Sequence, residues 1–225
     1  MLSSCASGPN GASSTSAKPL TPSDSASVAP GTTRLLQFAL TINDQGSFDS
    51  VNGFYVIMLN AFGTPIDVTN NDKFTDFMQW DGTYLLWYHR QTSPSSNLYT
   101  FIATNTMNQN VSFSEDRHTL VVTLNPSEQT SPLAQYISSN AFTVCCATTD
   151  RQGILGRVID TLGPGPSLNN DALYTYFIDK TLGLTYPAPP EYPNDRLNDW
   201  ITQPDNDANF PYVNFDIKKF EVTLH

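Results

Sequence analysis

Basic residues are scarce in this chain. Eleven Lys and Arg stand against 21 Asp and Glu, a formal net charge of −10 over 225 residues. A protein that neutralises phosphates needs a basic face, so nucleic acid is excluded as a partner. A polybasic membrane-surface role is disfavoured for the same reason. No run of about 18 uninterrupted apolar residues occurs, which leaves no transmembrane helix. Histidine is limited to His89, His118 and His225, without the H-x-x-x-H or H-E-x-x-H spacing of a metal site. The G-x-S-x-G elbow, the P-loop and G-x-G-x-x-G are missing too. "GPGPS" at 163–167 spends two positions on proline and so lacks the amide donors of a phosphate cradle. These absences read against an enzyme, and no catalytic residue is assigned. A carboxylate pair acting on a glycosidic bond is the enzymatic alternative, since sequence does not show how far apart two carboxylates lie.

What is present suits strands and turns. The chain is 39% hydrophobic and 12% aromatic, enough for a packed core, and its polar residues are mainly Asn, Thr, Ser, Gln and Asp. That palette fits an extracytoplasmic β protein. From residue 34 onward, strand-like segments alternate with turn signals: 34–42, 53–63, 83–90, 98–105, 118–125, 141–150, 156–163 and 213–224. "HTLVVTLN" (118–125) alternates most cleanly, with Leu120, Val122 and Leu124 expected inward. The pair 83–90 and 98–105 reads as a hairpin. Residues 131–139 have room for a turn or two of helix with Pro132 at the first position. Residues 168–180 are ambiguous and lean to strand. The expected fold is a single all-β antiparallel sandwich of about eight or more strands over 34–225, with a long Pro-rich loop at 184–211.

Residues 1–33 differ in kind. Between Ala6 and Thr33 the chain is mostly Ser, Thr, Ala, Pro and Gly, which cannot bury enough surface to offset the entropy of ordering. A flexible tether is expected there. Immediately before it, Leu2-Ser3-Ser4-Cys5 resembles the lipobox of bacterial lipoproteins, in which the cysteine is lipidated and becomes the mature N-terminus. The resemblance implies a signal-peptide remnant, a membrane partner through a lipid anchor on Cys5, and a location at the bacterial cell surface or in the periplasm. The basic and apolar regions of such a signal do not precede it here.

A second resemblance is carried by "FYVIMLN" (54–60), "FTVCCATTDRQGILGRVIDTLG" (142–163) and "FDIKKFEVTL" (215–224). Their order resembles the sugar- and haem-binding sandwiches related to DOMON domains and family 9 carbohydrate-binding modules, and the C-terminal module of glucodextranases. It implies a ligand-binding sandwich across 35–225 and transfers no binding residue, because no ligand motif of those families matches. Met58 and His118, the residue types of a haem site, read as core filler and a strand start.

Aromatic residues carry the functional expectation. Trp80, Tyr84, Trp87 and Tyr88 crowd into residues 77–90, and Tyr192 and Trp200 stand in the Pro-rich loop. Aromatic faces with a polar rim are how carbohydrate modules stack sugar rings, so a glycan is the leading ligand class. The ordinary alternative is that Trp87 is core and the tyrosines are half-exposed packing. The competing function is an assembly protein, docking onto another protein by a sheet edge or the 184–211 loop. "TNNDKFTD" (69–76) and "QPDNDANF" (203–210) supply oxygen ligands of the kind calcium takes, without the EF-hand pattern, and read more simply as solvated turns. Neighbouring Cys145 and Cys146 should point to opposite faces of their strand, one buried and the other at an edge. Asn110-Val111-Ser112 matches a glycosylation sequon, a pattern that chance produces often.

Overall fold

The computed structural model describes residues 35–64, 66, 73–92, 99–161, 176–179, 184–185 and 209–224. Cys5, Tyr192 and Trp200 lie outside them, as do the tether and most of the 184–211 loop.

The described residues hold twelve strands: β1 (Leu36–Ile42), β2 (Gly53–Asn60), β3 (Asp76–Trp80), β4 (Leu85–Thr92), β5 (Tyr99–Thr106), β6 (Val111–Phe113), β7 (Thr119–Leu124), β8 (Ala141–Asp150), β9 (Val158–Thr161), β10 (Tyr176–Asp179), β11 (Leu184–Thr185) and β12 (Ile217–Leu224). One short helix, α1 (Pro132–Tyr136), starts with proline at its first position, where the missing N–H costs nothing. The strands form two antiparallel sheets. The smaller runs β12-β1-β7-β6, and the larger runs β11-β10-β8-β2-β3-β4-β5 with β9 pairing off β8. This is an all-β sandwich.

The two sheets bury different patterns, and the reason is solvent. The small sheet has one wet face, so β1 and β7 alternate strictly: Leu36, Phe38, Leu40 and Ile42, and then Leu120, Val122 and Leu124, all point inward. Register follows from that pattern, since a one-residue slip would turn each inward set out to water. In the large sheet β2, β3 and β8 are buried on both faces. Between the sheets, Tyr55, Ile57, Met78, Trp80, Trp87, Phe142 and Cys146 meet the inward residues of β1, β7 and β12. Behind the large sheet a second cluster gathers Val56, Met58, Phe77, Cys145, Ala147 and Val158, joined by Ile66 and Phe74 from the β2–β3 connection and Leu155 from the β8–β9 connection.

Cys145 and Cys146 therefore do face opposite ways, but the expectation that one would sit at an edge is corrected. Both side chains are buried, because β8 is a central strand with an apolar cluster on either side. Met58 is core, as expected.

Polar groups tie the sheets together where the chain crosses between them. The Thr148 hydroxyl donates to the Phe215 carbonyl at 2.7 Å. The Ile217 N–H donates to the buried Asp160 carboxylate at 2.7 Å, while within the small sheet Asn43, after β1, donates to the buried Asp216 carboxylate, before β12, at 2.7 Å.

Candidate functional site

The aromatic residues singled out from the sequence do not share one surface. Tyr84 precedes β4 and is 51% exposed. Tyr88 lies on the outer face of the large sheet, its ring stacked on Phe77 with centroids 4.6 Å apart. Burial and the charge of Asp81 push its hydroxyl above the usual tyrosine range. Trp87 points the other way and is fully buried between the sheets. Trp80, opposite Leu85 across the β3–β4 ladder, also points inward. Strand alternation divides these four between two faces, the inner of which is core, so they form no single flat platform.

Trp80 nevertheless reaches a cavity. At the end of the sandwich where the β1–β2, β3–β4 and β6–β7 connections meet, a pocket of about 270 Å³ is lined by Phe48, Trp80 and Phe113, with Gly46, Ser47, Ser50, Gly82, Asp116, Arg117 and His118 around them. The three aromatic rings are packed edge to face. Phe48 and Phe113 have centroids 5.2 Å apart, Trp80 and Phe113 5.7 Å, and Phe48 rests on Tyr55 at 4.7 Å. Such edge-to-face contact holds aromatic walls in place. Trp80 is 8% exposed, and its indole N–H is buried with no acceptor among the described residues.

The rim is held by the loops' own hydrogen bonds. Asp116 accepts the Ser114 hydroxyl at 2.5 Å and the His118 N–H at 3.1 Å, and these bonds keep its carboxyl below the ordinary carboxylate range. Ser114 in turn accepts the Thr119 N–H at 2.9 Å, so the turn is locked onto β7. The His118 ring is joined to the Gly46 carbonyl at 3.1 Å through Nε2, which as the donor ties the β6–β7 turn to the β1–β2 loop. Arg117 adopts a left-handed backbone, φ 61°, and its guanidinium lies over the Phe113 ring at 5.4 Å.

The facing loops are equally fixed. Asp49 accepts N–H groups from Val51 and Asn52 and the Asn52 amide. Partial burial alone would raise its pKa, but these bonds outweigh burial and hold it low. The Tyr55 hydroxyl accepts the Asp49 N–H and donates to the Asn214 carbonyl, with burial pushing its pKa far up. Arg151 donates to the carbonyls of Ser50 at 2.5 Å and Asp81 at 2.7 Å, clamping two rim loops. Gly82, at φ +96°, passes so close to Ser50 that a Cβ there would overlap its side chain. Gly46 passes the Val213 carbonyl with equally little room. The pocket is therefore built by loops that cannot move apart without breaking several bonds.

A second constellation lies at the opposite end of β3. Asp76 is fully buried, and its carboxylate accepts the Thr75 hydroxyl at 2.6 Å, the Trp87 N–H at 3.1 Å and Nδ1 of His89 at 2.8 Å. The His89 ring stacks on Tyr136 of α1, centroids 4.6 Å apart. No serine, threonine or cysteine is hydrogen-bonded to His89 among the described residues, so the pair carries no nucleophile and reads as fold-building. Asp76 also closes the 69–76 stretch weighed for calcium, and its oxygens are taken by these three donors. Residues 69–72 and 203–208 lie outside the described residues.

The sequence reading missed Phe48, Phe113 and Arg117. No local pattern marks them, because 65 positions separate Phe48 from Phe113 and only the fold brings them together. No family model, curated protein or solved structure matches this chain.

Proposed function

We propose that this protein is a non-catalytic, membrane-tethered extracytoplasmic lipoprotein whose sandwich binds a glycan in the pocket of Phe48, Trp80 and Phe113. The supporting observation is the pocket's make-up. Rigid aromatic walls meet a polar rim of Ser47, Ser50, Asp116, Arg117 and His118. Apolar sugar C–H faces and outward hydroxyls need that combination, and about 270 Å³ suits one or two sugar rings at an open mouth. The tether and Cys5 anchor are supported by the lipobox-like Leu2-Ser3-Ser4-Cys5 and the Ser/Thr/Pro-rich stretch after it. Two acyl chains would anchor such a protein stably where one would not.

A thermal-shift panel of oligosaccharides on the full chain tests the binding reading. A sugar at about 100 times its Kd adds about 2.7 kcal/mol, a rise of several degrees, and Phe113→Ala should abolish it. A flat panel refutes it.

The β5 edge favours a second reading. Among the described strands β5 pairs only with β4, it is eight residues long, and Ile102 is 41% exposed upon it. An unprotected edge of that length is a template for another chain. Concentration-dependent mass in light scattering, removed by Ile102→Lys, is its expected result.

A further inference from the structure

Resting on the glycan reading, we infer that the sugar this pocket takes is acidic: a uronic-acid residue whose carboxylate is held by Arg117.

Arg117 is the cation at the mouth whose charge is not already spent. It forms no ion pair among the described residues, neither with its neighbours Glu115 and Asp116 nor across the pocket. Asp116 has turned its carboxylate to Ser114 and the His118 N–H. The guanidinium lies over the Phe113 ring. A contact with an aromatic ring consumes no hydrogen-bond acceptor, so the guanidinium N–H groups stay available for a carboxylate, which they match in two parallel bonds. The backbone adds a second observation. Arg117 occupies the left-handed region that glycine or asparagine enters at lower cost, at the last position of a turn closed by its N–H to the Ser114 carbonyl at 2.9 Å. Strain kept at a bulky cation on a pocket rim points to a use for that cation. At the rim the Asp116 carboxylate is engaged and the Arg117 guanidinium is not ion-paired among the described residues, the balance an anionic ligand requires.

The chain's net charge of −10 makes long-range steering of an acidic glycan unfavourable, so recognition here is local and short-ranged. A soluble acidic polymer would associate slowly and be held by the pocket alone.

Isothermal titration of the full chain with oligogalacturonate, the matching neutral oligogalactoside and a sulfated disaccharide tests this. Oligogalacturonate should bind, with the neutral sugar about 10- to 100-fold weaker, the worth of a hydrogen-bonded charge. Arg117→Gln should remove that preference. Arg117→Gly should do the same while keeping or raising the thermal midpoint, because it relieves the left-handed backbone, and so separates lost recognition from lost folding. Equal binding of neutral and acidic sugars overturns the inference and leaves the glycan reading standing. Preference for the sulfated sugar overturns the carboxylate assignment. If no sugar binds, the glycan reading fails and this inference with it.

Discussion

Removing the carboxylate of Asp76 should be among the most damaging changes this fold can suffer. Three donors converge on it, and they differ in what they can do once it is gone. The Trp87 N–H sits on a side chain with no exposure, so Asp76→Ala strands it without water or an alternative acceptor. The Thr75 hydroxyl has a fallback in the Leu59 carbonyl at 3.4 Å, and the His89 ring is partly exposed and can turn to water. The stranded indole costs about 1–3 kcal/mol, and the lost charge-assisted bonds and the small cavity bring the total to roughly 3–5 kcal/mol. In a folded unit of this size each kcal/mol moves the midpoint by about 2–4 °C, so a fall on the order of 10 °C is expected. Asp76→Asn keeps one oxygen for Trp87 and His89 and should cost about 1–2 kcal/mol. Urea unfolding followed by tryptophan fluorescence and far-ultraviolet dichroism measures both. An Asp76→Ala protein within about 1 kcal/mol of the parent would refute the claim that this carboxylate organises the β3–β4 pair.

Trp80 and Trp87 should respond oppositely to the same change. Trp87→Phe removes a donor to buried Asp76 and should lose about 1–3 kcal/mol, whereas Trp80→Phe removes an N–H that has no acceptor and should be close to neutral by the same urea titration. Gly82→Ala forces a Cβ onto Ser50 at φ +96° and should cost about 2–3 kcal/mol, read as a lowered midpoint with weakened ligand response. Asp49 and Asp116 are both held below 3.8, so the stability they supply is complete above that value and is lost as pH falls through their lower folded pKa values. The midpoint should be flat in this contribution above about pH 5 and fall below about pH 4, and Asp49→Asn should flatten the fall. Native protein should leave Cys145 and Cys146 unreacted with a thiol reagent until denaturant is added.

The parts of the fold that face water on one side were legible in the sequence. β1 and β7 alternate because one face of the small sheet is wet, and Phe220 and Val222 of β12 point inward for the same reason. β3 was not legible: "DFMQW" is buried on both faces and includes Asp76 and Gln79, polar residues whose partners are Trp87, His89 and the Ile154 carbonyl. β6, three residues long, carries too little pattern to register. Of the pocket, Trp80 and His118 stand out in the sequence, the one as an aromatic of the 77–90 stretch and the other as a strand start. Phe48 and Phe113 stand among Ser, Asp and Glu in what reads as loop, and the contacts that make them walls lie in other strands.

The direction of β1 has a mechanical meaning. The chain enters it at Leu36 and leaves at Ile42, and the next residues build the pocket, so the start of the strand and the mouth stand about 20 Å apart. β1 carries a ladder on each side, to β7 and to β12. A pull between the N-terminal side and a bound ligand would run lengthwise along that strand. Its cross-strand bonds would then share the load all at once, as rivets in a lap joint do, instead of opening singly like a zip.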